Sequence, residues 1–169
     1  TAGTSGVIYG VTDKSDYDDK SRVNTFAHVN NRPGQTRNGI LLCVNGTGIL
    51  NSWLNNNLGG DGIDYEEMNK MAERVPVGSD GLVILPFGNG AERTLENKNI
   101  GAAVKGLEFN VHDKKHMFRA GQEGIVFALN YGFEIMNKIG VEAKIIRAGY
   151  ANMFLSPLFR EAFATVTDA

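Results

Sequence analysis

Two short runs of consecutive apolar residues constrain the fold of this chain more than any other feature. They cover residues 40–44 and 82–86, and each is shorter than an ordinary helix. A run of this length is typical of a strand in a buried sheet, and residues 40–44 predict a central strand that is buried on both faces. Such strands have to be covered by other layers of the chain, which favours a layered α/β architecture.

The segments around these runs predict alternating strands and helices. The further strands are expected at residues 7–11, 22–29 and 141–146, and the glycine-rich stretch 87–106 is predicted to be a loop. The expected helices cover residues 49–58, 65–75, 113–138 and 154–166.

The longest predicted helix carries small residues on its inner face. Small side chains at three positions of this face would let another backbone come close. The predicted inner stripe consists of Met117, Gly121, Gly124, Ala128, Tyr131 and Ile135.

Composition excludes several classes of protein. The 17 Lys and Arg residues against 19 Asp and Glu residues give a net charge of −2, which lacks the basic footprint of a nucleic-acid-binding domain. A hydrophobic share of 42% argues against disorder, and no apolar run is long enough to span a membrane. The single cysteine cannot form an intramolecular disulfide. We therefore expect a cytoplasmic protein with no nucleic-acid or membrane partner.

Three glycine-bearing turns are the best candidates for ligand contacts. They lie at residues 3–6, 45–48 and 148–152, and the last two are predicted to open helices. The free N–H groups and the positive dipole end of a helix N-terminus suit a phosphate group. The first turn adds two hydroxyl groups to its backbone N–H groups, which also suits phosphate.

Other candidate groups favour simpler interpretations. His112 and His116 have the spacing of a zinc pair on a helix, but no third ligand stands out, so a solvated helix N-terminus is favoured. Cys43 lies in an apolar run and is interpreted as an inert thiol. Glu92 and Arg93 form either an ion pair in a cleft or a surface bridge, of which the surface bridge is commoner. The residues alone predict an α/β domain with several candidate ligand turns.

Taken in order, the glycine turns resemble motifs in the second domain of the FGGY carbohydrate kinases, over nearly the whole chain. Residues 3–6 resemble the second phosphate motif of that family, and residues 48–53 resemble its G-x(4)-W stretch. Residues 89–95 are similar to its G-E-R-T-P motif, with an additional Ala and with Leu95 in place of Pro.

The most specific resemblance is that of residues 102–123 to the second FGGY signature. Residues 149–155 resemble the adenosine motif in the version found in glycerol kinases, and residues 156–160 are similar to the S-P-x-W-R segment of bacterial xylulokinases. Seven residues fit the FGGY signature, namely Val104, Gly106, Leu107, His116, Met117, Ala120 and Glu123, and Gly121 and Gln122 depart from it.

The resemblance implies a ribonuclease H-like (actin-like ATPase) domain, an α/β fold with a mixed sheet and flanking helices. Residues 1–169 would form one C-terminal nucleotide-binding domain, a truncated part of a two-domain kinase. The catalytic Asp of the family lies upstream of the first turn, so no catalytic residue and no metal ligand is expected in this chain. The implied nucleotide-binding residues are Gly3, Thr4, Ser5, Gly6, Gly48, Ser52, Gly149, Tyr150 and Asn152.

The implied activity is ATP-dependent phosphorylation of a sugar hydroxyl, with ATP and Mg²⁺ as cofactors. Because the chain most resembles bacterial xylulokinases, the expected reaction converts D-xylulose to D-xylulose 5-phosphate. The sugar would be bound mainly by the N-terminal domain of the family, so the chain alone is expected to be inactive. A missing strand would leave a bare sheet edge, which predicts a homodimer or aggregation of the isolated chain. The alternatives are a kinase for glycerol or another sugar, and a non-catalytic interaction domain of the same superfamily.

Overall fold

Two small antiparallel sheets pack against one long helix in the computed structural model, which describes residues 1–60 and 62–169. This arrangement confirms the predicted α/β class, although both sheets of the described residues are antiparallel where a mixed sheet was expected. The strands are β1 (Gly6–Thr12), β2 (Asn24–Ala27), β3 (Asn38–Val44), β4 (Val83–Leu85) and β5 (Ala103–Lys105). The helices are α1 (Gly48–Leu58), α2 (Tyr65–Glu73), α3 (Lys114–Lys138) and α4 (Pro157–Thr167).

The larger sheet has the order β1-β3-β2, so the apolar run 40–44 is the central strand, as predicted. Burial alternates along it: Ile40, Leu42 and Val44 are buried, whereas Leu41 and Cys43 are only half-buried. The expectation of burial on both faces was therefore wrong. An antiparallel sheet needs to cover only one face, and here α3 packs against that face.

Helix α3 begins and ends at residues that are suited to those positions. The Asp113 carboxylate accepts hydrogen bonds from the backbone N–H groups of Lys115 and His116, and His116 Nδ1 accepts one from the Asp113 N–H group. Gly140, in the left-handed region with φ of 85°, follows the helix. These signals confirm the predicted helix at 113–138, because a capped start and a glycine stop are local properties of the chain.

The small residues of α3 do bring another backbone close. A Cβ atom on Gly124 would lie far inside contact distance of the Ile84 carbonyl oxygen in β4. Tyr131 was wrongly placed on the inner stripe, since 41% of its surface is exposed. The neighbouring Gly132 packs against Leu42 of the central strand instead.

Two predicted elements differ in the structure. Residues 141–146 form no strand, because Val141 lies over the face of β1, where a Cβ on Gly10 would be 2.6 Å from the Val141 Cγ1 atom. A segment that covers the face of a sheet cannot also pair with its edge. The predicted loop 87–106 contains β5, which pairs with β4 in antiparallel register.

The last helix begins later than its apolar pattern indicates. Residues Asn152–Leu155 form a 3-10 turn, and α4 begins at Pro157 after the N-cap Ser156. The turn at 148–152 therefore opens the 3-10 turn, and not α4 itself. No helix within the described residues is long and apolar enough to cross a membrane.

A buried ion pair between Asp18 and Arg22 makes stability depend on pH. Arg22 Nη2 lies 2.6 Å from Asp18 Oδ1, and the Asp18 side chain is 2% exposed. The hydrogen bonds from the Arg22 side chain hold the pKa of Asp18 below its ordinary value. A carboxylate with a lowered folded-state pKa stabilises the fold above its unfolded pKa of about 3.9, and this contribution is lost as the pH falls through the folded value.

We therefore expect Asp18→Asn to lower the free energy of unfolding at pH 7 by about 2 kcal/mol. The difference from the unchanged chain should shrink at an acidic pH below the folded-state pKa of Asp18, because the carboxyl group is then protonated in both states. Urea unfolding at the two pH values measures it, with the exposed neighbour changed as Asp19→Asn for control. An equal loss of stability at both pH values would contradict the assignment.

Candidate functional site

A cavity of about 450 Å³ lies where the first turn of the chain meets the beginning of α1 and the segment before α4. Three of the segments that were singled out in the sequence meet here, although they are far apart along the chain. Five of the nine predicted binding residues line this cavity, namely Gly3, Thr4, Gly48, Ser52 and Asn152.

The first turn is held directly on the N-terminus of α1. The N–H group of Gly48 donates to the Gly3 carbonyl at 2.8 Å, and that of Ile49 donates to the Thr4 carbonyl at 3.2 Å. The Thr47 hydroxyl lies within hydrogen-bond distance of both carbonyls. A Cβ on Gly48 would collide with the Gly3 carbonyl oxygen. These helix N–H groups are thus occupied within the chain, and Gly48 is required for the close approach of the turn.

The same turn still offers free donors of its own. Within the described residues, the backbone N–H groups of Thr4 and Ser5 donate to no acceptor, and Thr4 is exposed. Successive N–H groups in a turn form a concave donor site for anions. The turn, and not the helix N-terminus behind it, is therefore the part of the site that suits a phosphate group.

Asn152 closes the opposite side of the cavity. Its backbone is in the left-handed region with φ of 52°, a conformation that Asn tolerates better than most residues. The Met153 N–H group donates to the Ala2 carbonyl at 3.4 Å, which holds this segment beside the first turn. The amide nitrogen of Asn152 lies 3.7 Å from where a Cβ on Gly3 would be.

The remaining four predicted residues, Ser5, Gly6, Gly149 and Tyr150, do not line the cavity. Gly6 is buried in β1, where a Cβ would lie 2.6 Å from the Thr47 Cγ2 atom, so its small size serves packing. Gly149 is exposed, with no atom within 4 Å of the position of a Cβ. Tyr150 is 75% exposed, and the Arg160 guanidinium lies 5.2 Å from its ring centre.

Polar residues that the sequence analysis missed form another wall of the cavity. Asn51 on α1 and Asn69 on α2 both line it, and Asn69 is hydrogen-bonded to Gln122 of α3. Gln122 was visible in the sequence only as a departure from the FGGY signature. The two asparagines carry no motif, because their common position depends on how α1 and α2 pack.

Glu92 stabilises the site without lining the cavity. It forms no ion pair with Arg93, so the two predicted alternatives, an ion pair in a cleft and a surface bridge, were both wrong. The Glu92 carboxylate is buried and accepts hydrogen bonds from the Asn45 N–H group at 2.8 Å and from the Thr94 N–H and hydroxyl groups. Arg93 instead donates to the Ser21 carbonyl. Glu92 therefore fixes the turn that precedes α1.

Other candidate groups take structural roles. His116 is buried in the cap of α3, with Nε2 3.3 Å from Asp80 Oδ2, and is not part of a solvated helix end. Burial raises the pKa of the Cys43 thiol, as does the charge of Glu92, which agrees with an inert thiol. No group of three or more His, Cys, Asp or Glu side chains suited to a metal ion occurs in the part of the chain that the structure describes.

Comparisons with known proteins add independent information. No family profile matches the chain. A xylulose kinase of Haemophilus influenzae is 34% identical over 145 residues, which are 86% of this chain and 28% of that protein. A gluconokinase of Bacillus licheniformis is 33% identical over 141 residues, 76% of this chain and 26% of the relative. The chain thus spans little more than a quarter of the length of these relatives.

The fold also matches solved structures. The crystal structure of gluconate kinase from Lactobacillus acidophilus superimposes with a TM-score of 0.86 at 24% identity, covering 99% of this chain and 33% of that protein. The structural neighbours are sugar kinases of the actin-like ATPase fold, which confirms the expected fold.

Proposed function

This chain is homologous to one region of the FGGY-type carbohydrate kinases, and on that premise we propose that it is the nucleotide-binding part of a sugar kinase. One observation carries the proposal: a single cavity joins the turn that resembles a phosphate motif, the start of α1 and the segment that resembles an adenosine motif. The whole kinase would transfer the γ-phosphoryl group of ATP to a sugar hydroxyl.

The geometry suggests how the nucleotide is held. The free N–H groups of Thr4 and Ser5, together with the Thr4 hydroxyl, would bind the phosphate oxygens. Asn152 would hydrogen-bond the adenosine. Open space around Gly149 would let the ligand approach the backbone there, where a side chain would intervene. Gly6 and Tyr150 would act beside the cavity, through the shape of the two turns.

We assign the Mg²⁺ site, the catalytic Asp and the sugar site to parts of the kinase other than this cavity. No acidic side chain lines the cavity within the described part of the chain, so these residues do not by themselves form a Mg²⁺ site. We propose that residues 1–169 correspond to the C-terminal domain, and that the catalytic Asp and the sugar site belong to other regions of the kinase. Closure over the nucleotide would exclude water and limit hydrolysis.

D-Xylulose is the leading proposed substrate, since a relative named xylulose kinase is 34% identical over 86% of this chain. D-Gluconate is the main alternative substrate, since a relative named gluconokinase is almost as similar to this chain. The resemblance to the adenosine motif of glycerol kinases keeps glycerol among the alternatives. The homodimer also stays a proposal, which light scattering would test.

Calorimetric titration with Mg-ADP tests nucleotide binding. We expect saturable binding that Asn152→Ala weakens about ten-fold, the effect of losing about one hydrogen bond. Two glycine variants separate contact from folding. Gly149→Ala should weaken binding without lowering the melting temperature, because its Cβ meets open space. Gly48→Ala should lower both, because its Cβ collides with the first turn.

The outcomes distinguish the proposal from a non-catalytic interaction domain. A folded chain that binds no Mg-ADP, or binds it equally well after Asn152→Ala and Gly149→Ala, would contradict the nucleotide site. Turnover is tested by ADP release with D-xylulose, D-gluconate and glycerol in turn. We expect none from this chain alone, and measurable phosphorylation of any of the three would overturn that expectation.

A further inference from the structure

The threonine that precedes α1 does not cap its own helix. Thr47 occupies the N-cap position, where a threonine hydroxyl ordinarily accepts a hydrogen bond from an N–H group in the first turn of the helix. Among the described residues, the Thr47 hydroxyl accepts no such hydrogen bond, although a cap of this kind would stabilise α1. The Thr47 side chain is completely buried and lies against the turn at residues 3–6. Its hydroxyl therefore serves that turn and not the helix.

The Thr47 hydroxyl bridges two successive peptide units of the turn. Its Oγ1 atom lies 3.1 Å from the Gly3 carbonyl oxygen and 3.2 Å from the Thr4 carbonyl oxygen. Each of these carbonyls also accepts a backbone N–H group of α1, so neither depends on the hydroxyl as its only donor. What the hydroxyl adds is a single contact to both carbonyls, which fixes the two peptide planes relative to each other.

The orientation of these carbonyls sets the direction of the two free N–H groups of the turn. In a planar trans peptide, the C=O and N–H bonds point in opposite directions. The Gly3 carbonyl shares its peptide unit with the Thr4 N–H group, and the Thr4 carbonyl shares the next unit with the Ser5 N–H group. Because both carbonyls point to the start of α1, both N–H groups point away from it and remain available to an anion.

The segment that carries Thr47 is held in place from its other side. The Asn45 N–H group donates to the buried Glu92 carboxylate at 2.8 Å. A Cβ atom on Gly46 would collide with the Pro86 carbonyl oxygen, so the backbone at residue 46 is packed directly on the backbone at residue 86. The position of Thr47 is therefore set by the surrounding fold, and the turn at residues 3–6 is oriented against it.

We propose that Thr47 is a positioning residue for phosphate recognition, whose hydroxyl orients the Thr4 and Ser5 N–H groups towards the phosphate oxygens of the nucleotide. This proposal rests on the proposed function, since it assumes that the turn binds phosphate. Thr47 acts through the turn, because it does not itself line the cavity. Loss of its hydroxyl should therefore weaken the contacts to phosphate and leave the contacts to the nucleoside unchanged.

The experiment compares Mg-ADP with adenosine, which lacks the phosphate groups. Thr47→Val keeps the shape of the side chain and removes its hydroxyl. It should weaken Mg-ADP binding about five- to ten-fold and change the affinity for adenosine less than about two-fold. Thr47→Ser keeps the hydroxyl, so its affinity for Mg-ADP should stay within about two-fold of that of the unchanged chain. Calorimetry measures Mg-ADP binding, and an NMR titration measures the weaker binding of adenosine.

The matched control is Thr167→Val, which removes another buried hydroxyl. The Thr167 hydroxyl donates to the Phe163 carbonyl at 2.7 Å within α4, away from the cavity. This variant should lower the melting temperature, since a buried hydrogen bond is lost, and should change neither affinity. If Thr47→Val does not fold, Thr47→Ala removes the same hydroxyl without placing a methyl group beside the two carbonyls, and the same outcomes apply to it.

Three results would overturn the positioning role and leave nucleotide binding itself intact. One is a folded Thr47→Val chain that binds Mg-ADP as tightly as the unchanged chain. Another is an equal loss of affinity for Mg-ADP and for adenosine. The third is a Thr47→Ser chain that binds Mg-ADP as weakly as Thr47→Val. A folded, unchanged chain that binds neither ligand would instead contradict the proposed function, and the positioning role with it.

Discussion

Arg119→Met is expected to lower the free energy of unfolding by about 3–5 kcal/mol, because it leaves a buried carboxylate without its counter-charge. Arg119 Nε donates to Glu123 Oε1 at 2.7 Å, and the two side chains are only 11% and 8% exposed. Arg119 also donates to the Val75 carbonyl at 2.7 Å. Removing the guanidinium therefore breaks a link between α3 and the segment that follows α2, as well as the ion pair.

The Glu123 carboxylate also holds an unusual turn in place. It accepts hydrogen bonds from the Gly78 N–H group and the Ser79 hydroxyl, each at 3.1 Å. All four residues from 78 to 81 have positive φ, although Ser79 and Asp80 are not glycine. Left-handed backbone at such residues persists only where surrounding contacts determine it. Loss of the ion pair should therefore loosen this turn along with α3.

Urea unfolding of a double-mutant cycle tests this expectation. Arg119→Met/Glu123→Leu should be more stable than Arg119→Met, because the double variant leaves no unpaired charge. The control is Lys70→Met, which breaks an exposed i,i+4 pair with Glu66 and should cost less than about 1 kcal/mol. If Arg119→Met cost no more than Lys70→Met, the pair would have no stabilising role.

Gly124→Ala is expected to lower the free energy of unfolding by about 2 kcal/mol or more. The added methyl group would collide with the Ile84 carbonyl oxygen, so α3 and β4 would have to separate. Overpacking of this kind costs about 1–3 kcal/mol and sometimes more. The better helix propensity of Ala returns about 1 kcal/mol, so a net loss of about 2 kcal/mol corresponds to an overpacking cost of about 3 kcal/mol, the upper end of that range.

Calorimetric melting measures the effect of Gly124→Ala. For a chain of this size we expect a fall of roughly 4–8 °C, at about 2–4 °C for each kcal/mol. Gly149→Ala is the matched control, because its Cβ meets open space, and its melting temperature should not fall. A melting temperature of Gly124→Ala equal to that of the control would show that α3 does not require this close approach.

Local signals in the sequence predicted most helices and strands, but not which elements pack against each other. The cap at Asp113, the stop at Gly140 and the apolar run 40–44 each depend on residues close together in the chain, so they could be identified without a structure. The segment 141–146 has a similar local pattern, yet Val141 covers the face of β1 and forms no strand. A local pattern shows which residues are apolar, but it does not show which part of the fold they pack against.

The candidate site also has features that the sequence predicted and features that only the structure revealed. Resemblance to known motifs made Gly3, Gly48 and Asn152 candidate binding residues, because tight backbone turns require particular residue types. Only the tertiary structure decided that these three line one cavity while Gly149 lies outside it. It also revealed that Asn51 and Asn69 line this cavity, a position that arises from the packing of α1 and α2. The sequence by itself determined the turns and helices through short-range sterics and hydrogen bonds. The composition of the cavity was decided by contacts between residues that are distant in the chain.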